Sequence, residues 1–354
     1  MNLLESIIRS ITPQDYAARI AAEKRLGQLT MPHWALGRLM DLAVDLAGIT
    51  RTPRPAVARK VVVIMAGDHG VTAEGVSRYP QEVTAQMVRN FMRGSAGINA
   101  LARAVGARVV VVDMGVAGDL HDLAATGNII SKRLGPGTGN IGHGPAMTRL
   151  QAIRAIEAGI EVAVGLAEET DVFGIGDMGI GNTTPSAAIA VAFTGASAAA
   201  ITGRGTGIDD KQWRAKVAVV ARALEINRPD AHDPLDVLAK VGGFEIGGIA
   251  GVILGAAARR KPVLLDGFIS TAAAMIAHQL CPVAKDYMIA AHRSAESGHG
   301  IMLEYLGLKP LLDLNLRLGE GTGAALAMPL VESAARLLTD VATFAEAQVS
   351  EAKR

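Results

Sequence analysis

Five times along this chain a short run of Val, Ile or Leu stops at a glycine-bearing loop and then gives way to a helical pattern. Lys60 to Met65 (KVVVIM) leads into Ala66-Gly67-Asp68-His69-Gly70, and Arg108 to Asp113 (RVVVVD) leads into Met114-Gly115-Val116. Asp171 to Ile175 leads into the stretch from Gly176 to Pro185, and Pro262 to Leu265 into Asp266-Gly267. Leu311 to Leu318 leads into Gly319-Glu320-Gly321-Thr322-Gly323. Unbroken apolar strands alternating with helices predict an α/β fold with a parallel sheet covered on both faces. Ligands of such sheets bind outside the carboxyl ends of the strands. The conspicuous glycines fall there, which makes those loops the place to look for chemistry.

Glycine supplies 40 of 354 residues, well above the usual ~7%. Half of the chain is hydrophobic but only 3% is aromatic, so Ala, Val, Ile, Leu and Met must fill the core. The length suits two domains, or one large α/β domain with additions. The ends read as helical. Thr12 before Pro13, with Asp15 three residues on, predicts a helix running to about Leu26. Pro32 opens a second helical pattern, carrying Leu36, Leu39, Met40, Ala43, Leu46 and Ala47, and Pro329 to Ala347 has the same spacing before a charged tail. The expected division is a small helical domain from residues 1–31 and 329–354, and a large α/β domain over 32–328.

Several classes are disfavoured. Thirty-five basic against 34 acidic residues give a formal +1, and no basic stripe interleaved with aromatics marks a nucleic-acid protein. Cys281 stands alone, so neither a disulfide framework nor a cysteine metal site is expected, in keeping with a reducing cytoplasm. The start lacks the basic and apolar regions of a signal peptide. Asn182 to Gly203 is uncharged, but it holds no Leu, has an early Pro and is rich in Ala, Ser and Thr. It reads as a buried small-residue helix rather than a membrane span.

Gly174-Ile175-Gly176-Asp177-Met178-Gly179 matches G-x-G-x-x-G, but no acid stands about 20 residues on for a ribose, which argues against a nicotinamide-dinucleotide site. Gly181-Asn182-Thr183-Thr184-Pro185 opens a helix, where free amides and two hydroxyls suit a phosphate or carboxylate. Gly203-Arg204-Gly205-Thr206-Gly207, with Lys216 further on, is a second anion candidate of monophosphate size. Asp68 and His69 read as a loop-shaping pair, because the eight histidines show no metal spacing. His292 and His299 bracket a polar loop placed to contact a ligand. Glu320 lies between two glycines before the uncharged run GTGAALAMPL. Apolar surroundings raise a carboxyl pKa toward a general base's range; a helix-start acid satisfying the dipole is the other reading.

Taken in order, AGDHGV around Asp68, SxYPxEVTxQM from Ser77 to Met87, MGIGNTTP from Met178, GRGTG from Gly203, HRSAESGH from His292 and RLGEGTGAA from Arg317 resemble the nicotinate-nucleotide:dimethylbenzimidazole phosphoribosyltransferase family. The resemblance spans nearly the whole chain. It implies transfer of phosphoribose from nicotinate mononucleotide to 5,6-dimethylbenzimidazole, giving α-ribazole 5′-phosphate and nicotinate for the cobalamin lower ligand. It also implies a Rossmann-like parallel sheet with a small helical domain from both termini, working as a homodimer, with no cofactor and no metal.

By the same resemblance Glu320 is the general base, taking the benzimidazole N–H proton while the other ring nitrogen attacks the anomeric carbon. Gly203, Gly205, Thr206, Lys216, Ser294 and Arg317 become candidates for the phosphate and ribose, and Gly179, Gly181, Asn182 and Thr183 for the nicotinate side. Ser77, Gln86 and Met87 are candidates for the base pocket, whose walls should be aliphatic and Met rather than stacked rings. Asp177 departs from the family, which usually carries Glu there, so only an assisting role is expected of it. The competing class is a non-catalytic nucleotide-binding module using the same loops, for which a base at position 320 would have no purpose.

Overall fold

The computed structural model describes residues 2–350; Met1 and the charged tail 351–354 lie outside them. Six parallel strands form one sheet: β1 (Lys60–Gly67), β2 (Ala107–Gly115), β3 (Ile130–Ser131), β4 (Val172–Met178), β5 (Val263–Leu265) and β6 (Met288–Ala290). Their spatial order is β3-β2-β1-β4-β5-β6. The chain builds outward from β1 in one direction, returns, and builds outward in the other. That reversal leaves a crevice between the loops that follow β1 and β4.

Alternation along β1 assigns the two faces. Val61, Val63 and Met65 join the core under the helices Arg149–Leu166 and Phe244–Ala258. Val62, Ile64 and Ala66 join the core under Arg38–Thr50 and Thr322–Asp340. Because both faces are buried, the strand is apolar at every position rather than every second one. The first pair of helices touches backbone to backbone: a Cβ on Gly159 would overlap the Gly248 carbonyl oxygen, and one on Gly251 would overlap that of Ile156. Part of the glycine excess thus serves this close packing, away from any loop.

Both chain ends meet near the second face. Thr30 N donates to Ala342 O at 3.1 Å, and Arg25 Nε to Leu338 O at 2.6 Å. The first helix, Leu3–Ser10, instead packs on Phe244–Ala258 and Arg149–Leu166.

The helix ending at Leu26 begins at Tyr16 with Asp15, not Thr12, as its cap: the Asp15 side chain accepts from Ala18 N. Residues 11–15 are extended instead, and Thr12 O accepts from Tyr287 Oη at 2.7 Å. The next helix starts at Arg38 rather than Pro32, because Trp34 and Gly37 both adopt left-handed backbone before it. Leu311 to Leu318 is not a strand. It runs irregularly beside the segment after β6, held by Leu312 N to Ala291 O and Arg293 N to Leu312 O, and Asn315 is left-handed in its middle. The last long helix passes through Pro329, which lies on its exposed side, and runs over Thr322–Asp340. No helix among the described residues is long and apolar enough to cross a membrane; the uncharged stretch from Asn182 folds into the buried helix Thr183–Thr194 and a short turn.

Candidate active site

A cavity of about 520 Å³ opens at the carboxyl ends of β4, β5 and β6. Glu320, Asp177, Gly179, Asn182, Thr183, Gly205, Thr206, Ser294, Arg317 and Met87 all line it, although they come from separate stretches of sequence.

Glu320 precedes the helix Thr322–Asp340 and is the middle of three left-handed residues, with φ of 81° at Gly319, 63° at Glu320 and 86° at Gly321. The strand beneath leaves room for that turn because Gly176 has no Cβ; one there would overlap Glu320 C and O. The carboxylate is 6% exposed as a residue, and its Oε2 accepts the amide of Ile98 at 3.1 Å. Ile98 is in the first turn of the helix Gly97–Ala104. The two readings of Glu320 thus coexist: it is a buried carboxylate, and it caps a helix start, though a different helix from the one that follows it. Burial raises its pKa, the Ile98 amide opposes the rise, and the charge of Asp266 adds to it. Oε1 accepts no hydrogen bond from the described residues.

Asp177 closes the end of β4. Asn182 Nδ2 donates to its Oδ2 at 2.8 Å, and Gly319 lies over it, close enough that a Cβ would sit 3.4 Å from Oδ1. Burial first, then the charge of Asp266, lifts its pKa to about 7 against that hydrogen bond.

The polar end gathers around Gly205. Lys216, buried on the helix Asp210–Asn227, donates to Thr183 Oγ1 at 2.7 Å, and Arg317 Nη1 donates to Gly205 O at 3.1 Å. Burial lowers the Lys216 pKa to about 8, opposed by the charge of Glu296. The helix Thr183–Thr194 has no side chain capping its own first turn; Thr184 N donates to Gly181 O and Pro185 carries no N–H, which leaves the Thr183 amide at the cavity. Ser294 Oγ accepts from Glu296 N at 3.3 Å, which leaves its hydrogen free. His299 sits beneath: Ser294 N donates to Nδ1 at 2.8 Å, so Nε2 carries the proton and donates to Thr271 Oγ1 at 2.9 Å. Burial holds His299 neutral, with a pKa of about 3.

Other expected site residues stand behind this wall. Gln86 is exposed on the helix Val83–Met92, while Val83 and Met87, one turn apart, face the cavity. Ser77 reaches Thr206, with 3.4 Å between hydroxyls, and Arg78 N donates to Thr206 Oγ1 at 3.2 Å. Gly181, at φ 88°, turns the chain against Thr72. Gly203 lies against Glu296 with no space for a Cβ. The Gly205 amide is engaged by Glu296 Oε2 at 3.2 Å, which the glycine pattern alone did not foretell. Tyr79, Phe268, His292, Glu296 and Leu318 also line the cavity. Tyr79 and Phe268 bring aromatic rings, so the wall is less purely aliphatic than the composition implied. The sequence signal for Phe268 was the Asp266-Gly267 pair after β5; that for Tyr79 was its place in the SxYPxEVTxQM stretch.

Asp68 and His69 shape the loop after β1. Asp68 Oδ2 accepts the amide of Ala117 at 2.8 Å, and His69 Nε2 meets Glu245 Oε1 at 2.7 Å, both side chains buried. Among the described residues no three His, Cys, Asp or Glu side chains converge as a metal cluster.

Residues 11–349 match the family model described as phosphoribosyltransferase. The chain is 62% identical over 353 residues to the nicotinate-nucleotide–dimethylbenzimidazole phosphoribosyltransferase of Syntrophotalea carbinolica, with all of both chains covered. It is 57% identical to the enzyme of that name from Desulfotalea psychrophila, over 99% of each. The crystal structure of the Thermus thermophilus enzyme of that name has the same fold, with a TM-score of 0.90 and 47% identity, over 96% of this chain and 100% of that one.

Proposed function

The chain belongs to the nicotinate-nucleotide–dimethylbenzimidazole phosphoribosyltransferase family, and on that premise we propose a mechanism built on its own residues. It transfers phosphoribose from nicotinate mononucleotide to 5,6-dimethylbenzimidazole, releasing nicotinate and α-ribazole 5′-phosphate for the nucleotide loop of cobalamin. Glu320 Oε1 accepts the proton from one benzimidazole nitrogen as the other nitrogen bonds to the anomeric carbon from the face opposite the leaving group. The glycosidic electron pair goes to the pyridinium nitrogen, so nicotinate departs with a neutral ring and requires no general acid. The observation that carries this is the buried carboxylate of Glu320, fixed by one amide and open to the cavity on its other oxygen.

The flat base fits between Val83, Met87 and Leu318, next to Glu320. Lys216, Arg317 and the Ser294 hydroxyl hold the phosphate. Glu296 already occupies the Gly205 amide, so that amide contributes less than its glycine setting suggests. Asn182 and Thr183 face the nicotinate carboxylate, and Asp177 assists through Asn182. Proximity supplies most of the rate, because both reactants are held in one cavity.

The helix Tyr16–Leu26 and the end of the helix Thr322–Asp340 form a small unit beside the large domain, and the protein works in the cytoplasm as a homodimer. Tyr16 and Ile20, exposed one turn apart on one helix, support a partner surface there; light scattering of the purified protein would read one chain or two.

Incubation with nicotinate mononucleotide and dimethylbenzimidazole tests the reaction. Equal yields of nicotinate and α-ribazole 5′-phosphate are expected. Tight nucleotide binding without product would establish a non-catalytic binding module instead.

A further inference from the structure

Asp266, at the end of β5, is 1% exposed and is not part of the cavity wall, although Gly267 and Phe268 are. Nothing in the transfer just described uses it. The loop it faces, however, is under conformational stress. A non-glycine residue in left-handed backbone costs roughly 1 kcal/mol or more and persists only where its surroundings over-determine it.

Glu320 holds that conformation immediately before a helix whose N-cap, Gly321, has no side chain to offer. Asp266 supplies the cap from 55 residues away. Its Oδ2 accepts Gly321 N at 3.0 Å, and its Oδ1 accepts Gly323 N at 2.6 Å and Ala324 N at 3.2 Å. His292 Nε2 stands 3.5 Å from Oδ1. At Gly323 a Cβ would overlap His292 Cδ2, so the amide approaches this closely only because the residue is glycine.

We propose that Asp266 is a positioning residue for phosphoribosyl transfer: by taking three amides around the left-handed turn it aims the Glu320 carboxylate into the cavity without touching substrate. This rests on the reading of Glu320 as the base. A base displaced by about 1 Å loses on the order of 100-fold in rate, while the donor contacts from Asn182, Thr183, Lys216 and Ser294, on other segments, stay intact.

Asp266→Asn is nearly isosteric and keeps one acceptor. Its kcat per folded molecule is expected to fall ~10- to 100-fold, with nicotinate mononucleotide affinity by calorimetry unchanged. Amide exchange should quicken over residues 319–324 and not in the sheet. A merely structural role would lower stability without that split between kcat and donor binding. Unchanged kcat, or a loss residing wholly in donor binding, overturns the proposal. Asp266→Glu, which keeps the charge but shifts it by a methylene, serves where the amide variant does not fold: reduced kcat with normal donor binding supports the clamp, and wild-type kcat overturns it. Glu320→Gln is assayed beside them. If it keeps full rate, the base reading fails and the clamp with it; if it is inactive while Asp266→Asn is fully active, only the clamp fails.

Discussion

The amide of Ile98 donates to Glu320 Oε2 at 3.1 Å, joining two residues 222 positions apart. One oxygen of the carboxylate is thereby fixed at a helix start and the other is left to the cavity. Glutamine at 320 preserves an acceptor for that amide but no basicity. Glu320→Gln should therefore fold with an unchanged Tm and lose ~10²- to 10⁴-fold in kcat. A rate within a few-fold of wild type in a direct product assay would move the base elsewhere.

Asp177 carries a pKa of about 7 against an ordinary 3.8. A carboxyl whose folded-state pKa is raised binds its proton more tightly in the folded protein, so its favourable contribution is full below the unfolded value. It is lost as pH rises through 3.8 to about 7. Asp177→Asn removes the ionisation. Its Tm should gain on wild type as pH increases across that window, and chemical denaturation at about pH 5 and about pH 8 would reveal it. A difference independent of pH contradicts the assignment.

Lys216 has a pKa of about 8, lowered by burial, so its ammonium is lost just above neutrality. Donor capture, read as kcat/KM for nicotinate mononucleotide, should fall as pH rises through about 8. Lys216→Met should raise KM for the donor about 10- to 100-fold, the worth of a charge-assisted hydrogen bond, and should abolish that limb. A pH limb that persists in the variant belongs to another group.

Gly176 lies against the backbone of Glu320 and Gly321, where a Cβ has no room. The obstacle is main chain, which cannot rotate away. Gly176→Ala should cost roughly 1–3 kcal/mol of stability and reduce kcat more than it changes donor binding. Equal effects on both, measured by denaturation and kinetics, would place the disturbance beyond the base.

What the sequence disclosed and what it hid have separate physical causes. The β-branched runs at Val61–Ile64 and Val109–Val112 announced central strands, because both sheet faces require apolar side chains. Met288–Ala290 showed only as the apolar stretch before the His292 loop, and Ile130–Ser131 was too short to announce anything. Leu311–Leu318 misled because Leu alternates there with Asp313, Asn315 and Arg317, a half-buried strand's pattern on a segment that meets the sheet edge only at Leu311 and Leu312. Glu320 was legible from its flanking glycines and the uncharged run after it. Met87 was legible, but its neighbour Gln86 could be separated from it only by knowing which way the helix turns. Glu296 on the Gly205 amide and Asp266 on the helix start were out of reach, since each depends on neighbours brought together by folding.

The contact between helices Arg149–Leu166 and Phe244–Ala258 has a consequence for how such a chain can change. Where side chains separate two helices, a larger residue is absorbed by rotamer shifts, and sequences drift by single steps. At Gly159, Gly248 and Gly251 the facing atoms include main-chain carbonyl oxygens and methionine side chains. A methyl group added at 159 or 251 forces the whole layer away from its partner, and the strain reaches β4, whose far end carries the cavity. That layer can therefore be remodelled only by several substitutions at once, which ties the tolerance of the catalytic rim to glycines on the far side of the sheet.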